Sequence, residues 1–111
     1  MKINISKSII ENILIQAGPF LEKKDTSQIT SHVFISVSDS ILTIKATDYE
    51  IGYLVNTNNV NVIEDGSTTA NGKKLLDIIR ILKDGNIHLE VKNDVLFISQ
   101  SNSNFKLPTF S

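Results

Sequence analysis

The apolar positions switch between a period of two and a period of about 3.6 residues, and the switches mark the elements. Lys2–Ser6 alternates as a strand. Ile9, Ile10, Ile13, Leu14 and Ala17 then recur at helical spacing until Gly18-Pro19 ends the pattern, which predicts a helix over Lys7–Gly18. Ser8 and Glu11 have the serine-x-x-glutamate spacing of a capping box, in which each side chain satisfies an orphan backbone donor of the first turn, and Ser6 is a competing cap. After a loop at Leu21–Ser31, Val33, Ile35 and Val37 share one strand face, Ser38-Asp39-Ser40 turns into a strand at Ile41–Ala46, and Asp48–Asn56 is a third strand. The asparagine-rich stretch Asn56–Gly66 reads as a flexible connection. A strand at Ser67–Asn71 leads into a second helix over Gly72–Leu82, whose Leu75, Ile78, Ile79 and Leu82 share a face and which stops at Asp84-Gly85. Three strands follow at Asn86–Lys92, Asp94–Gln100 and Ser103–Thr109, separated by turn signals at Lys92-Asn93-Asp94 and Ser101-Asn102.

The two halves match. Val33–Leu54 lies without gaps over Ile87–Leu107 at an offset of 54 residues, the distance from Val37 to Val91, up to its last residue. Under that shift Ile35 meets Leu89, Leu42 meets Leu96, Ile44 meets Ile98, Ile51 meets Phe105 and Tyr53 meets Leu107, so apolar positions fall on apolar positions. Upstream, KSIIENI from Lys7 resembles KKLLDII from Lys73 at an offset of 66, the difference being absorbed by a longer loop. Pseudo-repeats 1–56 and 66–110, each with strand, helix and three strands, predict an α+β domain. Its expected form is two four-stranded antiparallel sheets with both helices on one side, related by a pseudo-twofold axis.

Composition narrows the function classes. A chain of 111 residues suits one domain with its own core. It has no cysteine, which excludes disulfides and thiolate metal sites and fits a reducing compartment such as the cytoplasm. No apolar run approaches membrane-spanning length. Eleven basic residues against twelve acidic ones give a net charge of −1, so any grip on phosphates must come from local clustering. Such a cluster exists: Lys7, Lys23, Lys24, Lys73, Lys74, Arg80 and Lys83 are seven of the eleven cations, and all lie on or beside the two helices.

Four stretches, in their order and spacing, are similar to one known family: the opening MKINISKSIIENIL, the element ATDYEIGYLV (Ala46–Val55), the run GSTTANGKKLLDIIRIL (Gly66–Leu82) and the closing NFKLPTF (Asn104–Phe110). Together they resemble the amino-terminal domain of bacterial sliding clamps, the beta subunits of the replicative DNA polymerase. That resemblance covers essentially the whole chain. It implies the DNA-clamp fold and a sequence three times too short for the family, which carries two further domains of this kind. In the family two subunits close head to tail into a ring around duplex DNA, with helices lining the hole, and the ring tethers the replicative polymerase after a clamp loader has placed it. Carried over to this sequence, Lys7, Lys23, Lys24, Lys73, Arg80 and Lys83 are the expected DNA-facing cations. The expected subunit interface comprises Lys74, Ile78, Leu82, Phe105 and Leu107, with Ser103–Thr109 as a sheet edge. Some family members surround that interface with arginines where this chain has Asn102 and Asn104.

No catalytic constellation competes with that reading. His32 and His88 are far apart in sequence and have no cysteine beside them, a poor start for a metal site. Asp48 and Glu50 alternate on a solvated strand face, with Tyr49, Ile51 and Tyr53 on the other. The glycines mark turns without forming a phosphate-cradling loop. No cofactor is implied. The alternative from a different class is a protein-interaction module, unrelated to DNA, that oligomerises through its last strand.

Overall fold

The computed structural model describes residues 1–21, 32–47 and 52–110, with Thr47 described through its backbone alone. The first half contains β1 (Lys2–Ser6), α1 (Lys7–Ala17), β2 (His32–Ser38), β3 (Ile41–Thr47) and β4 (Gly52–Thr57). A short strand β5 (Asn61–Glu64) precedes the second half, which consists of β6 (Gly66–Asn71), α2 (Gly72–Ile81), β7 (Asn86–Lys92), β8 (Val95–Gln100) and β9 (Ser103–Pro108). The order of strand, helix and three strands therefore occurs twice. Residues 48–51, where the third strand was expected to begin, lie outside the described residues.

The strands form two antiparallel sheets, ordered β5-β1-β7-β8-β9 and β4-β3-β2-β6. The first strand of each half thus sits in the other half's sheet: β1 pairs with β7 through Ile3↔Leu89 and Ile5↔Ile87, and β6 pairs with β2 through Ala70↔Val33 and Thr68↔Ile35. Corresponding hairpins close with corresponding turns. Asp39 and Ser40 both have positive φ, at 54° and 65°, as do Asn93 and Asp94, at 51° and 62°. Two such residues in succession give the turn whose twist matches that of the flanking strands.

Two expectations are corrected. The stretch after β4 is not merely a connection: Asn61–Glu64 pairs with β1 through Ile3↔Val62, which raises the first sheet to five strands. Val60 and Val62 pack against the core, and the Met1 ammonium lies 3.3 Å from Glu64, so the free edge of β1 receives both apolar cover and an ion pair. The capping box at Ser8 and Glu11 does not form. Ser6 is the N-cap residue of α1, with extended φ and ψ of −65° and 138°, and Ser8 already lies inside the helix, where its hydroxyl meets that of Ser6 at 2.9 Å. The second helix is capped as such termini usually are, by the Asn71 side chain accepting from the Lys74 amide at 2.9 Å.

The inward rows of both sheets and one side of each helix form a single core. From α1 come Ile10, Ile13, Leu14 and Ala17; from α2 come Leu75 and Ile79. Gly72 opens α2 at a tight contact, since a Cβ there would lie 2.8 Å from Leu21 Cδ1 and 2.9 Å from Val33 Cγ1.

Candidate nucleic-acid interface

The helices lie against each other and run antiparallel, because the first residues of α1 meet the last turn of α2. Their apolar sides face the sheets, so their polar sides share one surface. On α1 that surface presents Ser8, Asn12, Ile15 and Gln16; on α2 it presents Lys73, Lys74, Asp77, Arg80 and Ile81, with Lys83 just beyond. The positive charge is therefore unequally divided, and α2 carries nearly all of it.

The cations differ in how firmly the chain holds them. Lys73, Lys74 and Lys83 are exposed and, among the described residues, lack an ion-pair partner. Lys7 is half-buried, and its ammonium donates to the carbonyl oxygens of Leu82 and, at 3.4 Å, of Arg80. It thus satisfies orphan acceptors at the end of α2, where a positive charge also suits the helix dipole. Arg80 Nε lies 3.9 Å from Glu11 Oε2. The Lys83 backbone is held from the other side, its amide donating to Gln100 Oε1 at 2.8 Å and its carbonyl accepting from Gln100 Nε2 at 2.6 Å. Lys23 and Lys24 lie outside the described residues.

The residues expected at a joint fall into two groups. β9 is an edge strand of its sheet, as the expected interface requires. Leu107 and Leu82 are buried in the chain's own core, at 8% and 4% exposure, whereas Ile78 and Phe105 are half-buried and Lys74 is exposed. Only the latter three present substantial side-chain surface. Lys106 and Pro108 are exposed along the same strand.

Neither histidine lies in a cluster of three or more His, Cys, Asp or Glu among the described residues. His32 stacks on Phe110 with ring centroids 3.9 Å apart, and burial pushes its pKa down. His88 bridges Asn4 Oδ1 at 2.8 Å and Glu90 Oε1 at 3.2 Å. Glu90 also draws in Lys92 at 3.3 Å and Lys2 at 3.7 Å. The hydrogen bond from His88, aided by the two lysines, holds the Glu90 carboxyl below its usual range. Tyr53 stacks on Phe20 and donates to Gln16 Oε1 at 3.0 Å, with its own pKa raised by burial, which ties β4 to the end of α1. The alternation of His88, Glu90 and Lys92 along β7 was a local signal of the Glu90 group, whereas Lys2 and Asn4 reach it from β1 and Gln100 reaches Lys83 from β8, pairings that the spacing of charged residues does not show.

Two interleaved sheets carrying a pair of adjacent antiparallel helices, with cations on the outer helical surface, define a DNA-clamp domain. Over residues 1–111 the sequence matches the DNA polymerase III beta subunit N-terminal domain, and the chain belongs to that family. The beta sliding clamp of Helicobacter pylori strain J99 is 47% identical over 110 residues, covering 99% of this chain and 29% of that protein. The crystal structure of the H. pylori beta clamp bound to a DNA ligase peptide superimposes with a TM-score of 0.94 at 46% identity, covering all of this chain and 30% of that one. A Caulobacter crescentus pol III beta structure, only 26% identical, gives a TM-score of 0.93 over 100% of this chain and 30% of its own. The chain thus spans about three tenths of the length of these three relatives.

Proposed function

We propose that this chain works as the first domain of a ring-shaped sliding clamp, a non-catalytic subunit that encircles duplex DNA in the bacterial cytoplasm and tethers the replicative polymerase. In this reading two full-length subunits close head to tail, a clamp loader opens them, and α1 and α2 form part of the wall of the hole. The observation that carries it is the shared outer surface of two adjacent helices, solvated and studded with Lys73, Lys74, Arg80 and Lys83. A ring retains DNA by topology, so it needs contacts that are favourable but weak. Phosphate contacts by spaced cations supply this, since they carry no sequence information and each adds only about 0.9 to the salt slope of binding. Lys73 and Lys83 are the best-placed DNA-facing groups, Arg80 shares their surface beside Glu11, Lys23 and Lys24 are further candidates, and Lys7 adds charge from the seam. Lys74, Ile78 and Phe105 offer surface to a neighbouring subunit, with Leu82 and Leu107 shaping the surface from beneath.

The test is retention. A full-length dimer crosslinked into a closed ring around circular duplex should remain bound in high salt and be released when the DNA is linearised. Release that is indifferent to DNA ends would instead favour a module that oligomerises through β9 and has no role on DNA.

A further inference from the structure

Arg80 is the only arginine in the chain and, among the described residues, the one cation on the outer helical surface paired with a carboxylate. The pairing crosses from α2 to α1, with Arg80 about half exposed at 52% and Glu11 at 29%. A guanidinium is the side chain best shaped to hold a phosphate through two parallel hydrogen bonds, whereas a lysine ammonium acts as a mobile point charge. Among the described residues, the exposed cations left unpaired on this surface are all lysines. The group most capable of braking a sliding ring is thus the one whose Nε the fold turns toward a carboxylate.

Glu11 is free to do this because the cap it was expected to make is absent. Ser6 occupies the N-cap position, and the Glu11 side chain points across the helix pair. Lys7, one turn earlier, is anchored on the same end of α2 through the carbonyl of Arg80 itself, which fixes the height at which Glu11 and Arg80 face each other.

We propose that Glu11 is a positioning residue for Arg80: it draws the guanidinium over the seam between the helices, so that Arg80 adds to the local positive potential while being withheld from a firm phosphate contact. The inference rests on the reading of this surface as the wall of a DNA-encircling ring. The pair is loose and solvated, so the restraint is graded, and its full effect is about one phosphate contact.

The experiment compares full-length wild type, Glu11→Gln, Arg80→Gln and the double variant Glu11→Gln/Arg80→Gln as assembled rings. It measures duplex affinity as a function of salt and diffusion along stretched duplex. Glu11→Gln should steepen the salt slope by about 0.9 and slow diffusion, and the added Arg80→Gln should abolish both changes. An unchanged slope in Glu11→Gln overturns the inference. So does a slope about 0.9 below wild type in Arg80→Gln alone, which would show that Arg80 already makes its phosphate contact with Glu11 present. A lowered melting temperature with no change in slope also overturns it, since Glu11 would then serve only to hold the helices together. Failure of the wild-type ring to stay on circular duplex would sink the clamp reading itself, whatever the variants do.

Discussion

The ammonium of Lys7 donates to the carbonyl oxygen of Leu82, joining the first residue of α1 to the end of α2 across 75 positions of sequence. The last carbonyls of a helix have no partner within it, and here the second helix obtains one from the first. Replacing Lys7 by Gln removes the charge and shortens the reach, leaving the carbonyl partly buried and less well satisfied. The expected loss is about 1–2 kcal/mol, read as a lowered urea midpoint with an unchanged denaturant slope. An unaltered midpoint would mean that water replaces the ammonium at no cost.

Gly72 sits at the start of α2, where alanine would ordinarily help by about 1 kcal/mol through helix propensity. The opposite outcome is expected here. Its Cβ would meet Val33 Cγ1 at 2.9 Å, and Val33, second in β2 and paired with Ala70, is fully buried with a stiff, β-branched side chain. Gly72→Ala should therefore destabilise by about 1–3 kcal/mol in thermal or urea unfolding.

Phe105 and Leu107 lie two residues apart on β9 yet should separate by function. Leu107→Ala should cost about 2–5 kcal/mol of folding stability, because the residue is buried in the core. Phe105→Ser should cost less in unfolding and instead weaken the dimer in sedimentation of the full-length protein. Equal unfolding penalties with an intact dimer would return both residues to the core.

Glu90 predicts a pH dependence with a definite sign. Its folded pKa lies below the usual glutamate value because His88, Lys92 and Lys2 favour the carboxylate. The folded state therefore gives up a proton that the unfolded state keeps. The stabilisation is complete above the ordinary glutamate range and disappears as pH falls through the lowered value. Glu90→Gln should remove this part of the acid limb: urea midpoints of wild type and variant should differ at pH 6 and converge towards pH 3. A constant difference across that range would show that the carboxylate's charge is irrelevant.

Most of the elements were legible in the sequence for a simple reason: alternation of period two and recurrence at 3.6 state which face of a segment is buried, whatever it is buried against. Ile10, Ile13 and Leu14, or Val33, Ile35 and Val37, declare an inward side unaided, and the matching halves declare a repeated build. The cations of α2 were legible in the same way, because a helix with one apolar stripe must turn its charges outward.

Partners were not legible, because backbone hydrogen bonds carry no side-chain label and an inward face does not say which strand lies beside it. Tertiary structure decided that β1 joins β7 and β6 joins β2, so that the halves exchange their first strands, and that Asn61–Glu64 becomes a fifth strand on the edge of β1. It also decided the states of Lys7, Glu11 and Arg80. In sequence they are a basic helix start, half of a cap and an exposed cation; packed antiparallel, the two helices bring all three to one seam, where distance sets which charge meets which.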